Sequence, residues 1–392
     1  MKQANKRIVN TPTIMLNDNH LGALLHFRKD LIEYFKSQGI KIILCAPESE
    51  KENEIPFSDV IYCPIKMNRT SKGIKDNIGY LLQLNNVINK FHPDLIINYT
   101  LKPIIFGSLL SFLHKYKTIS VYAGLSKELT NLSNKSDKKS RLIFLIIRYI
   151  LRRNNRAFFL NKEDLKFMIA NNFYDKSNTT LLEGGEGVNT DFYKPSNEKK
   201  DSNRFKIVMV GRVLKTKGYY EFVDCAQAAK SKSLPWDFYL CGGIDYIHPD
   251  KVLKEEIDNS EEKGFIIYKG HLNNLKEFIS DADCIVLPSY YNEGMNRSLM
   301  EALSMGIPIV TTDNRGCREL VIDGKTGYII PPKDSKALLN SLISIYQLSD
   351  NDKRSMRRES REYALSRFDV KQIIKIYKSE ISRLLPQYNL FK

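Results

Sequence analysis

The amino-acid sequence predicts an α/β protein made of two doubly wound, Rossmann-like domains that face a cleft. The chain has 392 residues, which is long for a single domain. Short, continuously apolar runs alternate with helical segments, as expected for parallel strands that are buried on both faces. This pattern stops at a polar segment, residues 194–204, and then starts again. In such folds a ligand binds beyond the carboxyl ends of the strands, and we expect the site in the cleft between the two domains.

The first repeat, residues 1–183, is predicted to form the N-terminal domain. Its strand-like runs are Ile40–Ala46, Val60–Ile65, Leu95–Thr100, Thr118–Ala123, Ala157–Leu160 and Thr179–Leu182. Its helical segments are 22–37, 73–91, 103–116, 138–154 and 162–172. We expect residues 184–204 to be a crossover loop and linker.

The second repeat, residues 205–368, is predicted to form the C-terminal domain. Its strand-like runs are Phe205–Val210, Asp237–Cys241, Phe265–Tyr268, Cys284–Leu287, Pro308–Thr312 and Gly327–Ile330. Its helical segments are 218–230, 250–262, 273–280, 297–305, 334–348 and 353–365. A final helix at 370–384, within residues 369–392, is expected to pack back on the N-terminal domain.

Composition and targeting signals suggest a compartment. Six cysteines occur without a C-x-x-C pair, which favours buried free thiols in a reducing environment. The N-terminal apolar stretch is interrupted by Asn10, Pro12 and Asn17, so it does not resemble a signal peptide. The longest apolar runs, such as 142–147, are too short to span a membrane. We expect a cytoplasmic protein that is not integral to the membrane.

The positive charge is concentrated in the first half of the chain. Residues 1–190 have a net charge of +11, and residues 191–392 have +4. A nucleic acid, an anionic membrane surface or a phosphorylated substrate would each fit this charge, and so would a generally lysine-rich composition. Motifs typical of nucleic-acid-binding proteins are missing from the sequence, so we expect no nucleic-acid partner. The basic and apolar segment 135–153 fits either a core helix or an interfacial membrane helix.

The most informative motif runs from Leu287 to Gly306. An apolar strand ends in a polar, glycine-containing loop, and a short helix follows that Asn296 can cap and Gly306 can end. The free N–H groups at the start of this helix favour an anion. Glu293 and Glu301 can accept hydrogen bonds from the vicinal hydroxyls of a sugar and a ribose. The combination suits a nucleotide-sugar site, although two solvated glutamates would also fit the pattern.

Two further loops supply candidate binding groups. The run Val208–Gly218 leads a strand into Gly211, Arg212 and Lys217, and this pair of cations suits a diphosphate. The glycine-rich run 183–193 would let backbone approach a ligand closely. A surface turn and a hinge loop without a ligand stay open as alternatives.

Metal ligands are not indicated. Asp281 and Asp283 form an Asp-x-Asp pattern, but it precedes an apolar strand rather than following one, so we interpret it as a surface pair at a helix end. The six histidines lack the spacing of a metal site. We expect neither a metal nor another cofactor.

Taken together, these motifs resemble the family 4 retaining glycosyltransferases of the GT-B fold, over most of the chain. Gly211-Arg212-Val213-Leu214 through Lys217-Gly218 is similar to the family pattern G-R-L-x-x-x-K-G, and Glu293 with Glu301 to its E-x7-E pair. Gly187-Val188-Asn189 with Phe192 and Pro195 is similar to G-V-D-x-x-x-F-x-P. Thr326-Gly327-Tyr328 with Pro331-Pro332 is similar to the family's T-G-x-L-V-P-P.

The first domain resembles a subgroup that extends lipid-linked oligosaccharides for bacterial capsule, O-antigen or protein glycosylation. Tyr99-Thr100-Leu101-Lys102-Pro103 with Gly107 is similar to its Y-T-x-K-P-x-x-x-G motif. Ala123-Gly124-Leu125 occupies the position where the subgroup has the motif T-G-L-G. His26-Phe27-Arg28 occupies the position where it has a short His/Phe-Arg motif. Ser126 replaces the second glycine of T-G-L-G, and Asn189 replaces the usual aspartate.

The resemblance implies transfer of a hexose or N-acetylhexosamine from a UDP-sugar to a saccharide on polyprenyl diphosphate, with retention of configuration, at the inner face of the cell membrane. A dedicated protein base need not exist, because the resemblance suggests that the leaving phosphate takes the acceptor's proton. We expect Arg212, Lys217 and Glu293 to be catalytic. The expected donor-binding residues are Gly211, Glu186, Gly187, Gly270, Gly294, Met295, Asn296, Arg297 and Glu301. The acceptor-binding candidates are Arg28, Arg69, Lys102 and Gly124.

Other functions share these features. A UDP-sugar epimerase or a phosphorylase of the same architecture would bind the same donor, and a non-catalytic protein could bind a nucleotide sugar or a nucleic acid without turnover. An epimerase would act without an acceptor, and a phosphorylase would need inorganic phosphate.

Overall fold

The computed structural model describes residues 11–48, 55–67, 73–125, 127–134, 137–196, 203–291 and 294–391. The chain divides into two compact units. The first contains the chain up to Glu186 and resumes at Ile373, and the second extends from Gly187 to Gln372. Residues 187–204, which the sequence suggests as part of a linker, therefore belong to the second unit.

The first unit is a parallel sheet with helices between its strands. Seven strands within the described residues have the order β3-β2-β1-β4-β5-β6-β7. The strands are β1 (Thr13–Asn17), β2 (Lys41–Ala46), β3 (Ile61–Pro64), β4 (Leu95–Tyr99), β5 (Lys117–Tyr122), β6 (Arg156–Phe159) and β7 (Thr179–Leu181). The helices are α1 (Leu21–Phe27), α2 (Lys29–Ser37), α3 (Ile74–Phe91), α4 (Leu101–Leu110), α5 (Lys127–Asn134), α6 (Lys138–Leu151) and α7 (Lys162–Ala170).

The second unit repeats this plan with a sheet of six described strands in the order β10-β9-β8-β11-β12-β13, again all parallel. The strands are β8 (Phe205–Val210), β9 (Trp236–Cys241), β10 (Ile267–Gly270), β11 (Cys284–Leu287), β12 (Ile309–Thr312) and β13 (Gly327–Ile330). The helices are α8 (Tyr219–Ser231), α9 (Lys254–Glu262), α10 (Leu275–Ile279), α11 (Arg297–Ser304), α12 (Ser335–Gln347) and α13 (Asp350–Arg367). Helix α14 (Val370–Leu384) starts in the second unit and belongs to the first unit from Ile373 onward. The fold class predicted from the sequence, two doubly wound α/β domains, is confirmed.

The strand order reverses once in each sheet, between β1 and β4 in the first unit and between β8 and β11 in the second. Crossovers on either side of such a point go to opposite faces of the sheet and leave a crevice at the carboxyl ends of the two strands. Each unit therefore presents one preferred ligand-binding edge.

Several elements differ from the prediction. Helix α5 was not predicted, α4 ends at Leu110 rather than at residue 116, and α9 starts at Lys254 rather than at residue 250. Strand β1, which lies in the middle of the first sheet, was not predicted, because the run is only five residues long and ends in the polar Asn17. The predicted helix at 22–37 is two helices, separated at Arg28, whose side chain turns into the interior. Strand β10 starts two residues later than predicted, because the N–H of Phe265 instead bonds to Ser260 at the end of α9.

The last residues of the chain pack on the sheet of the first unit. The ring of Tyr377 meets that of Phe158 at a centroid distance of 5.1 Å. Glu380 forms an ion pair with the buried Arg156 on β6. Tyr388 donates a hydrogen bond to Asp94 just before β4. The C-terminal segment thus closes the core of the first unit.

All six cysteines are free thiols and lie in the described part of the chain, and five of them are buried. Their burial agrees with the predicted absence of a disulfide framework. Within the described residues, no helix combines the length and the apolar character that crossing a bilayer requires.

Candidate active site

Lys217 is placed by a tight turn at the ligand-binding edge of the second unit. A 3-10 helix, Lys215–Lys217, ends at Gly218, whose φ of 90° is unfavourable for other residues. A side chain at Gly218 would place its Cβ 2.4 Å from the carbonyl oxygen of Pro288, which follows β11. Only glycine therefore allows this turn to press against the loop after β11.

The Lys217 side chain is almost buried, at 7% exposure. Its Nζ lies 5.4 Å from the centroid of the Tyr291 ring, a cation–π distance. The backbone N–H of Tyr290 donates to Thr216 O at 2.9 Å and fixes the turn to the same loop. The cation predicted for a diphosphate thus lies beside the carboxyl end of β11.

Arg212 follows the carboxyl end of β8, and its guanidinium donates to Asp245 at 2.9 Å. Both side chains are partly exposed, with 47% for Arg212 and 29% for Asp245. Burial of Asp245 would raise the pKa of its carboxyl, but the hydrogen bond and charge of Arg212 outweigh this and lower it. An exposed pair of this kind is weak and can exchange one anion for another.

Glycines let the loops after β8, β9 and β10 approach each other. A Cβ on Gly242 would lie 1.8 Å from the carbonyl oxygen of Gly211, and both residues have φ angles near 150°. The N–H of Gly242 donates to Gly270 O at 2.7 Å. Gly211 and Gly270, both predicted to bind donor, therefore lie along one edge of the sheet, two strands apart.

Helix α11 starts at the same edge. Asn296 caps it, as predicted, by accepting a hydrogen bond from the Leu299 N–H at 3.2 Å. The Ser298 hydroxyl lies 3.3 Å from the carbonyl oxygen of Val210, the last residue of β8. Gly306 follows the helix with a φ of 71°, consistent with the predicted helix end. Arg212, Lys217 and the start of α11 thus occupy one edge of one unit.

Glu301, predicted to bind the ribose, is almost buried beside Arg297. It is 7% exposed and accepts a hydrogen bond from Arg297 Nε at 2.9 Å. Burial raises the pKa of its carboxyl, and the charge of Arg297 and a hydrogen bond with Tyr193 only partly offset this effect. Arg297, predicted to bind donor, is thus engaged with Glu301 in the structure. The ribose role of Glu301 stays a prediction.

The loop at the start of the second unit packs against α11. Arg361 on α13 donates to the carbonyl oxygens of Thr190 and Tyr193 at 2.9 Å and of Ser304 at 2.6 Å. Gly187 has a φ of 75°, and its carbonyl oxygen lies 3.5 Å from Arg297 Nη1. The sequence analysis missed Arg361 because no motif pointed to it.

Glu186, predicted to bind donor, belongs to the first unit, and its donor role stays a prediction. It is the last residue of the first unit in this part of the chain, and its carboxylate forms an ion pair with Arg28 at 2.7 Å. Arg28 is 5% exposed, also pairs with Asp18 at 3.6 Å, and stacks on Tyr99 at 4.2 Å. Burial would lower the pKa of Arg28, but Glu186 and Asp18 outweigh it and raise the pKa. This pairing argues against the predicted contact of Arg28 with an acceptor diphosphate.

The ligand-binding edge of the first unit contains the other acceptor candidates that the structure describes. Lys102 is the second residue of α4, directly beyond β4, and burial lowers the pKa of its ammonium. Gly124 is exposed beyond the end of β5. The neighbouring Leu125 N–H donates to the buried Asp164 at 3.0 Å, which fixes this loop.

A buried amide pair lies beneath this edge. Asn17 donates to the side chain of Asn98 at 2.9 Å and accepts from the Tyr80 hydroxyl at 3.0 Å. A Cβ on Gly107 would lie 2.3 Å from Asn98 Oδ1, so glycine is needed where α4 crosses β4. The sequence analysis did not select these amides, although asparagine at the end of two buried apolar strands is an unusual signal.

Two predicted site residues, Glu293 and Arg69, lie outside the described residues, as does Ser126. Gly294 and Met295 directly precede the Asn296 cap, and Met295 is almost buried. Their predicted contacts with a donor sugar stay predictions.

The Asp-x-Asp pattern lies at the opposite edge of the second sheet. Asp283 directly precedes β11 and accepts from the Lys206 N–H at 2.9 Å, and Asp281 pairs with Lys206 Nζ at 2.5 Å. Both therefore have structural partners far from the carboxyl ends of the strands. No group of three or more His, Cys, Asp or Glu that could hold a metal ion occurs among the described residues.

Comparison with known protein families matches both units. The model "Glycosyl transferases group 1" matches residues 191–364, and the model "Glycosyl transferase 4-like" matches residues 20–161. Residues 191–364 thus match a group 1 glycosyltransferase domain, and residues 20–161 match a glycosyltransferase 4-like domain. The resemblance that the motifs indicate is thus confirmed, and the two matched ranges correspond to the two α/β units.

Two bacterial relatives act on sugars linked to undecaprenyl diphosphate. One is the N,N'-diacetylbacillosaminyl-diphospho-undecaprenol alpha-1,3-N-acetylgalactosaminyltransferase of Campylobacter jejuni, 25% identical over 82% of this chain and 86% of the relative. The other is the UDP-Gal:alpha-D-GlcNAc-diphosphoundecaprenol alpha-1,3-galactosyltransferase of Escherichia coli, 22% identical over 69% and 71%.

Among solved structures, a glycosyltransferase from Rickettsia africae superimposes with a TM-score of 0.79 at 18% identity, covering 96% of this chain and 99% of the other. At this identity the likeness establishes the fold alone. The fold is that of the GT-B glycosyltransferases, as the sequence predicts.

Proposed function

We propose that this glycosyltransferase moves a hexose or N-acetylhexosamine from a UDP-sugar to a saccharide on polyprenyl diphosphate, with retention of anomeric configuration, in bacterial surface polysaccharide synthesis. The observation that supports this most is the grouping of Lys217, Arg212 and the start of α11 at the β8–β11 edge. The relatives from Campylobacter and Escherichia support the choice of a lipid-linked acceptor, and the latter supports UDP.

The proposed chemistry follows from where charge develops. Breaking the bond between the sugar and UDP places negative charge on the leaving diphosphate. Lys217 supplies a fixed ammonium in a nearly dry setting, where an electrostatic interaction is stronger than in water. Arg212 would exchange Asp245 for the diphosphate, because their pair is exposed and weak. The N–H groups at the start of α11 would add a partial positive charge.

No metal is needed in this proposal, because the two cations and the helix start do the work of a bound ion. Glu293 with the backbone N–H groups of residues 294–296 would hold the donor sugar, and Glu301 the ribose hydroxyls. The leaving phosphate would take the acceptor's proton. Lys102 and Gly124, at the edge of the first sheet, are the described candidates for acceptor contacts.

The acceptor's lipid would confine the reaction to the inner surface of the cell membrane, so the proposed location is cytoplasmic and peripheral. The charge of +11 over residues 1–190 favours an anionic partner in the half of the chain that contains these acceptor candidates.

The test is to offer a panel of UDP-sugars with a short-chain polyprenyl-diphosphate sugar, to detect products by mass, and to assign the new anomeric bond by NMR. We expect one UDP-sugar to give a lipid-linked product with the configuration of the donor. Conversion of the donor without an acceptor, a requirement for inorganic phosphate, or an inverted product would each contradict the proposal.

The same assay tests whether the reaction requires a metal ion. Excess EDTA should leave the rate largely unchanged, because cationic side chains replace the ion. Loss of activity that manganese restores would contradict a metal-independent site.

A further inference from the structure

Helix α6 has an apolar outer face in addition to its buried inner face. Phe144 on the inner face meets the Phe173 ring at 4.9 Å, and Ile150 and Leu151 are buried in the core. Five other apolar side chains of the helix are between 37% and 59% exposed: Leu142, Ile143, Leu145, Ile146 and Tyr149. A helix that is apolar on all sides is normally buried on all sides. The outer face therefore needs a further apolar partner.

The exposed surface continues beyond the helix. Phe112 and Leu113, which follow α4, are also exposed, and the Phe112 ring lies 5.7 Å from that of Tyr149. Arg153 lies over both rings, at 5.1 Å from Phe112 and 5.9 Å from Tyr149. We call these eight residues, the five of α6 together with Phe112, Leu113 and Arg153, the α6 surface. Contiguous apolar exposure of this kind marks an interaction site.

The charges around the α6 surface decide which partner fits. Helix α6 contains no acidic residue, and basic residues lie at both of its ends: Lys138, Lys139, Arg141, Arg148, Arg152 and Arg153. The nearby acids are already engaged, because Asp137 caps the helix and Asp175 lies 3.9 Å from Arg152. An apolar strip between basic ends matches the acyl boundary and the anionic headgroups of a bilayer.

We propose that the α6 surface binds anionic lipid, with α6 lying flat in the interface of the membrane. The helix has 14 residues, or about 21 Å, which is too short to span the hydrocarbon core. The apolar side chains enter the acyl boundary, and the lysines and arginines contact phosphate groups. This surface is distinct from both strand-edge sites and adds a membrane contact that does not depend on the acceptor.

The test is sedimentation of the full-length protein with vesicles, in the absence of any substrate. We expect binding to vesicles with about one third phosphatidylglycerol, weaker binding at high salt, and little binding to phosphatidylcholine alone. Leu142→Glu with Ile146→Glu should abolish binding. Lys138→Gln with Lys139→Gln should weaken it about fivefold for each charge removed.

Leu253→Glu with Leu365→Glu is the matched control, because it places the same two charges at exposed leucines of the second unit and should leave vesicle binding unchanged. The acidic pair on α6 should also leave turnover of a short-chain, vesicle-free acceptor unchanged. Failure of vesicle binding is thereby distinguishable from failure of the proposed reaction.

Three results would overturn the inference. The wild-type protein could fail to bind anionic vesicles, or the Leu142→Glu, Ile146→Glu variant could bind them as the wild type does. The protein could also self-associate through this face, so that the double variant changes the oligomeric state in gel filtration while vesicle binding is retained.

Discussion

The ligand-binding edges of the two sheets hold their arginines in opposite surroundings. Arg212 at the second sheet is half exposed and paired with one partly exposed carboxylate. Arg28 at the first sheet is buried beside two carboxylates, Asp18 and Glu186. The exposed pair of Arg212 can exchange its partner for another anion. The ion pairs of Arg28 are buried away from water, so breaking one would leave a buried charge without a partner. Burial therefore distinguishes Arg212, whose exposed ion pair can be exchanged, from Arg28, whose buried ion pairs are fixed.

The largest effect should come from the structural arginine. Arg28→Gln would leave Asp18 and Glu186 close together without their cation, at an expected cost of about 3–5 kcal/mol in the free energy of unfolding. Urea unfolding of the first unit would measure it. The adjacent Lys29→Gln, at an exposed site, should change stability by about 0.5 kcal/mol or less.

A loss below about 1 kcal/mol for Arg28→Gln, combined with a large fall in kcat/KM, would reverse this assignment. Arg28 would then be a substrate contact, as the sequence predicted, and the contrast between the two edges would fail.

A smaller effect on stability, with a specific effect on activity, should come from the turn that places Lys217. Gly218→Ala combines a positive φ with a Cβ 2.4 Å from Pro288 O, and should cost about 2 kcal/mol or more. Gly324→Ala is the matched control, because its φ is also positive but nothing lies within 4 Å of its Cβ.

Both alanine variants would be compared by thermal unfolding and by UDP-sugar turnover. Gly218→Ala should lose most activity at a temperature where it is still folded, while Gly324→Ala keeps it. Equal turnover in the two variants would show that the position of Lys217 is not critical.

The smallest effect concerns Glu301 and pH. Burial raises the pKa of this carboxyl above its ordinary value of 4.5. Its contribution to stability is therefore fully present below about pH 4.5 and declines as pH rises through the folded-state pKa. Compared with Glu301→Gln, the wild type should lose relative stability as pH rises from about 4.5 towards neutrality.

Urea unfolding of the wild type and of Glu301→Gln across this pH range would show whether the stability of the wild type relative to the variant falls as pH rises. A wild-type advantage that grows with pH would mean that Arg297 outweighs burial and that the carboxylate is stabilised in its ionised form.

Much of the fold could be predicted because apolar runs with sharp boundaries define strands. The bounds of β8, β11 and β13 agree with the sequence prediction, since each apolar run is followed directly by a glycine or a proline. Strand β1 was missed because its last residue, Asn17, is buried in a polar cluster that forms only with Asn98 and Tyr80. Local periodicity does not include such distant partners.

The candidate site, like the fold, was predictable only in part. The motifs predicted that Lys217, Arg212 and Asn296 lie near one another, and all three lie at the carboxyl edge of the second sheet. This was predictable because each residue follows a strand or precedes a helix at that edge. The burial of Arg28 was not predictable, because its partner Glu186 is distant in sequence. The pairing of Arg212 with Asp245 was missed for the same reason.

The most direct test of the central claim is kcat/KM for the UDP-sugar in Lys217→Ala, with Lys215→Ala as control. Lys215 lies two residues away in the same turn but is exposed. If Lys217 stabilises the leaving diphosphate, its loss should cost about 2–4 kcal/mol, or roughly 30- to 1000-fold in kcat/KM, and Arg212→Ala should fall in the same range. Lys215→Ala should stay within about threefold of the wild type. Near-normal turnover in folded Lys217→Ala and Arg212→Ala would contradict the account.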